Sequence, residues 1–122
     1  MRRLANLVVS KLARVEVPTA LWRKHRTGEL STEDAAVLVE EFEWDWFGAP
    51  RAEPRFAVVE VTDDVLDLAA RSAARHPLRA YDAVQLASAL AARAASPDLT
   101  LFACFDEELA DAARAEGFTL RP

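Results

Sequence analysis

From Ala80 to Ala95 the sequence puts apolar side chains on almost every face of a helix, through Val84, Leu86, Ala87, Ala89, Leu90 and Ala91. A helix apolar all round must be covered on more than one side, so it belongs at the centre of a domain. Around it lie short runs rich in β-branched and apolar residues: Asn6–Ser10, Phe56–Val61, Leu99–Phe105 and a last one, Gly117–Leu120. Each is too short for a helix and reads as a strand. Strands separated by helical segments imply an α/β fold, a parallel sheet covered on both faces, with function gathered at the carboxyl ends of the strands.

The intervening helices carry their own start and stop signals. Ser10 is the expected N-cap of a helix from Lys11 to Arg26, closed by Thr27-Gly28. Pro18 inside it removes the hydrogen bond to the Arg14 carbonyl and implies a kink after Glu16. Ser31-Thr-Glu-Asp34 resembles a capping box and opens a second helix that runs to Phe47, before Gly48 and Pro50. Thr62 caps a third, to Arg75, broken by His76-Pro77, and Asp106 to Glu116 forms the last.

A chain of 122 residues, 52% hydrophobic, has the size of one domain, here 1–122, with enough core to dispense with staples. The single Cys104 cannot form an intrachain disulfide. No apolar run is long enough to span a membrane, and the basic start Met1-Arg2-Arg3 lacks the remainder of a signal peptide. The expectation is a cytoplasmic protein that does not enter a membrane.

The formal charge of −5 argues against a protein that coats nucleic acid non-specifically. It conceals an asymmetry. Residues 1–26 carry Arg2, Arg3, Lys11, Arg14, Arg23, Lys24 and Arg26 against Glu16 alone, so one end of the chain can face a polyanion that the rest repels.

Three carboxylates fall at informative places. Glu16 sits between β-branched residues in Val15-Glu16-Val17-Pro18 and must reach solvent, meet an arginine such as Arg79, or bind a cation. Asp82 stands at the start of the buried helix, where with Gln85 it could form a capping box. Asp106 directly follows the third strand and is the natural cap of the last helix. Taken together, they can converge on the carboxyl edge of the sheet and hold Mg²⁺ or Mn²⁺, which need only carboxylates, waters and phosphate oxygens. Such a site activates water for in-line attack on a phosphodiester. His25 and His76 sit at helix ends, in capping or solvent positions. Three glycines leave no phosphate-cradling loop, and both lysines, Lys11 and Lys24, lie in the first helix, which excludes a phosphorylatable receiver domain.

Three stretches carry a resemblance over essentially the whole chain: Ser10-Lys-Leu-Ala-Arg-Val-Glu16-Val-Pro-Thr-Ala-Leu21, Leu78-Arg-Ala-Tyr-Asp82-Ala-Val-Gln-Leu-Ala-Ser88 and Phe105-Asp106-Glu-Glu-Leu-Ala-Asp-Ala-Ala113. They resemble the PIN-domain ribonucleases, specifically VapC-type toxins of bacterial toxin–antitoxin systems, most specifically in Leu-Arg-Ala-Tyr-Asp-Ala. The resemblance implies a three-layer α/β/α fold with a short parallel sheet. It also implies a metal-dependent endoribonuclease, usually dimeric, restrained by a VapB-like antitoxin, with Glu16, Asp82 and Asp106 as catalytic metal ligands for Mg²⁺ or Mn²⁺. Arg14, Arg23, Lys24, Arg26 and Arg79 are the candidates for guiding RNA, Arg79 alternatively for neutralising the acids.

The family begins with a strand ending in Asp, followed by a helix, ahead of the element that starts here at Asn6. That strand lies centrally, between those corresponding to Asn6–Ser10 and Leu99–Phe105, and carries a fourth acid. The chain thus reads as truncated at its start, with a gap expected in the sheet and catalytic activity in question. Cys104 replaces the Ser or Thr common two residues before the final Asp; a buried strand cysteine is its simplest role. Phe42, Trp44, Trp46 and Phe47 form a dense aromatic run, read as core or as a dimer or antitoxin interface, since Glu40, Glu41, Glu43 and Asp45 repel phosphate. The alternative function is therefore a non-catalytic PIN-like protein that binds an antitoxin or a partner protomer.

Overall fold

The computed structural model describes residues 7–98, 101–103 and 107–121. The elements run β1 (Leu7–Ser10), α1 (Ala13–Arg26), α2 (Thr32–Phe47), β2 (Phe56–Val59), α3 (Asp63–Arg75), α4 (Ala80–Ala95), β3 (Leu101–Ala103), α5 (Glu107–Ala115) and β4 (Thr119–Arg121). The α/β class holds. The chain divides into two compact units, Leu12–Phe56 and a second made of β1 with the chain from Ala57 onward.

The strands form one sheet in the order β2-β1-β3-β4, with β1 parallel to β3 and β3 parallel to β4. Val8 is in register with Phe102, so β1 and β3 are direct neighbours. The expected gap between them is absent. Two strands whose backbone N–H and C=O groups would otherwise face a void satisfy one another instead.

Helix α4 explains its own composition. On one side Leu86 and Ala89 pack with Val8 of β1, with Leu109, Ala112 and Ala113 of α5, and with Phe118. On another, Ala83, Val84 and Ala87 pack with Val65 and Ala69 of α3. Alanines at these contacts let neighbouring backbones approach closely, and Leu86 and Ala87 are entirely buried. Strand β1 is held beside β2 by Lys11 N–H donating to the Val59 carbonyl at 2.9 Å.

Two caps form as the sequence implies: Ser31 Oγ accepts from Asp34 N–H at 3.0 Å, and Thr62 Oγ1 from Val65 N–H at 3.2 Å. Two others do not. Ser10 belongs to β1 and is fully buried, so it is no N-cap; the N-cap of α1 is Leu12, without a side-chain hydrogen bond. Asp82 and Gln85 form no capping box, because the N-cap of α4 is Arg79 and Gln85 Oε1 is turned to β1. Helix α1 continues through Pro18.

In the Leu12–Phe56 unit, α2 ends at Gly48, whose φ of +90° is unfavourable for any residue with a Cβ. The turn behind it is closed by reciprocal backbone bonds between Ala49 and Ala52. A Cβ on Gly48 would lie 3.0 Å from Pro54 Cδ and 3.2 Å from the Ala52 carbonyl oxygen. Gly48→Ala is expected to lower unfolding free energy by about 1–2 kcal/mol through strain at this φ and the crowding. Leu86→Ala, which empties a fully buried site, is expected to cost about 3 kcal/mol, read from the shift in urea midpoint at constant slope.

Candidate functional site

Strands β1 and β3 are parallel, so their carboxyl ends lie on one edge of the sheet. At that edge β1 ends at Ser10, which is fully buried and turns its backbone N–H toward α4. Gln85 Oε1 accepts it at 2.8 Å. An N–H can only donate, which fixes the amide of Gln85 with its oxygen toward the strand.

Asp82 lies in the first turn of α4, at its third position after the N-cap Arg79, where the exposed N–H groups of the helix favour an anion. It is three residues before Gln85, on the same side of the helix, about 5–6 Å away between Cβ atoms. The Asp82, Gln85 and Ser88 spacing makes a polar seam along an otherwise apolar helix. Ser88 is fully buried, its hydroxyl donating back to the Val84 carbonyl at 2.8 Å. Asp82 itself is half-buried, and Arg79 is exposed.

Glu16 occupies the first turn of α1, in the other unit, and is half-buried, so it reaches solvent in part. Asp106 and Cys104 lie outside the described residues. Only two of the three carboxylates are therefore described, and no group of three or more His, Cys, Asp or Glu that could hold a metal occurs among the described residues. The donor set itself, all carboxylate, suits a hard cation such as Mg²⁺ or Mn²⁺.

Of the basic candidates, Arg23, Lys24 and Arg26 are exposed together on the last turn of α1. Arg14 is engaged: its guanidinium lies 3.3 Å from Glu43 Oε2 and 5.1 Å from the centre of the Phe47 ring. His25 pins the α1–α2 turn, with Nδ1 donating to the Leu30 carbonyl at 3.0 Å and Nε2 hydrogen-bonded with Thr32 Oγ1 at 3.3 Å. A groove of about 540 Å³ between the two helices is lined by Arg14, Val15, Pro18, Trp22, Arg26 and Val39 among others.

The aromatic run divides by helix face. Phe42 is buried and packs in tilted contact with Trp46 and Phe56 at centroid distances of 5.7 Å each, while Trp46 and Phe56 lie 6.1 Å apart. Trp44 and Phe47 point outward, 47% and 63% exposed. Core and surface thus share the run, and only the latter pair is available to a partner.

Sequence reasoning missed a polar cluster at the end of α5. Glu116 Oε2 takes Arg75 Nη2 at 2.8 Å and His76 Nε2 at 2.9 Å, and its backbone carbonyl accepts from Arg93 Nη1 at 2.6 Å. Arg93 also lies 4.3 Å over the Phe118 ring. One acid thereby ties the ends of α3 and α4 to the entry of β4. The His76 hydrogen bond chiefly, with the Arg75 charge, outweighs partial burial and holds the Glu116 carboxyl below its ordinary value of 4.5. No local motif announces it, because Arg93 and Glu116 lie 17 or more residues from each other and from the adjacent Arg75 and His76.

The chain matches no protein-family model and none of the curated proteins.

Because Glu116 titrates lower in the folded state, its contribution is fully present above pH 4.5 and is lost as pH falls through the folded value. Glu116→Gln is expected to cost about 1 kcal/mol at pH 7 and to reduce the loss of stability on acidification below 4.5, as checked by urea unfolding across pH 3–7.

Proposed function

We propose that this chain is a VapC-like PIN-domain ribonuclease that hydrolyses RNA phosphodiesters with Mg²⁺ or Mn²⁺. The observation that carries the reading is the placement of Asp82: it stands in the first turn of the most buried helix, tied by Gln85 to the carboxyl end of β1, on the edge shared with β3. Asp106 follows β3 by three residues in the sequence, and Glu16 follows β1 by six. The cation would supply an activated water and neutralise charge developing on the phosphate. The carboxylates of Asp82, Asp106 and Glu16 would hold it and orient the attacking water, while Arg23, Lys24 and Arg26 attract the RNA backbone. Trp44 and Phe47 offer an apolar surface to a VapB-like antitoxin or a second protomer.

One observation favours a second reading, a non-catalytic PIN-like protein that retains only partner binding. Direct pairing of β1 with β3 leaves no place between them for the strand that carries the fourth acid in the resembled family. A site short of one anionic ligand binds metal less tightly and positions water less well.

An RNA-cleavage assay on the purified full chain, with and without Mn²⁺, separates the two. The ribonuclease reading expects Mn²⁺-dependent cleavage that falls on the order of 100-fold in Asp82→Asn at unchanged far-ultraviolet circular dichroism. Absence of Mn²⁺ binding, with any residual cleavage insensitive to Asp82→Asn, overturns it in favour of the second.

A further inference from the structure

A buried polar side chain in an apolar helix needs a reason, since leucine or methionine at the same place would fill the space without a polar group to satisfy. Gln85 is 5% exposed and reaches across to a residue 75 positions earlier. Its partner is the last residue of β1, where the chain leaves the sheet. One turn before Gln85, on the same side of α4, stands Asp82.

We infer that Gln85 is a positioning residue: its bond to Ser10 fixes the distance between the first turn of α4 and the carboxyl end of β1, and so fixes where Asp82 presents its carboxylate. This rests on the proposed metal-dependent function. The bond at 2.8 Å is short, buried and directional, so it sets both the rotation of α4 about its axis and its position along β1. The apolar contacts of Leu86 and Ala89 with Val8 are non-directional and leave those two degrees of freedom softer. The spacing carries the effect to Asp82, because residues three apart on a helix move as one rigid turn. Catalytic constellations are sensitive to displacements of about 1 Å, which is what a rotated first turn produces.

The test uses the full chain and Mn²⁺ alone as probe, its free concentration counted by electron paramagnetic resonance, together with amide hydrogen exchange at Ser10. Gln85→Met removes the acceptor at nearly constant volume, Gln85→Glu retains one, and Leu109→Val lowers stability from another wall of the same core. The expected result is rapid exchange at Ser10 and Mn²⁺ binding weakened tenfold or more in Gln85→Met. Gln85→Glu keeps the amide protected and binds at least as tightly as the parent, and Leu109→Val binds as the parent does. Parent-like affinity in Gln85→Met, or equal weakening in Leu109→Val, overturns the positioning role while leaving the metal site standing. A parent chain that binds no Mn²⁺ overturns both.

Discussion

Pairing of β1 with β3 is the contact on which the rest of the larger unit depends. Both strands are very short, four and three residues, and neither could persist alone. Side by side, with β4 beyond β3, they become a parallel surface on which α4 and α5 bury Leu86, Ala89, Leu109 and Ala113. The same pairing aligns two carboxyl ends on one edge, beside the first turn of α4 that carries Asp82. It also leaves no position for a further strand between the two.

At the edge, one hydrogen bond reconciles packing with polarity. A parallel strand ending inside the protein exposes a backbone N–H to an apolar environment, which costs about 1–3 kcal/mol if left unpaired. Gln85 removes that cost from within α4 and so couples the helix to the strand. The cluster around Glu116 does the corresponding work at the far ends of α3 and α4, joining them to the chain that enters β4. Between these two polar fastenings the contacts of α4 are mostly apolar and mostly small.

What the sequence makes legible is what local chemistry determines. The bounds of α4 follow from its uniform apolarity, and α2 and α3 begin where Ser31 and Thr62 can accept a backbone N–H. Ser10 misleads because a serine ahead of a helical run is a good cap only when exposed to the helix start; here the strand claims it and burial removes it. Asp82 and Gln85 mislead for a related reason: their spacing suits a local cap, but Gln85 satisfies a donor 75 residues away. The β1–β3 register and the Glu116 cluster depend on pairings across long sequence separations, for which a single sequence carries no periodic signal. The aromatic run was half legible, since Phe42 and Trp46 share a face by their spacing while the exposure of Trp44 and Phe47 depends on what the helix packs against.

Strands β1 and β3 are adjacent, and the proposed metal site would lie on their common edge. Isotope-edited nuclear Overhauser spectroscopy of the full chain tests this adjacency most directly. Adjacent strands give backbone contacts between the neighbourhoods of Val8 and Phe102 in parallel register, together with a slowly exchanging Ser10 amide. Absence of any such contact, or contacts that place another strand between the two, would contradict it.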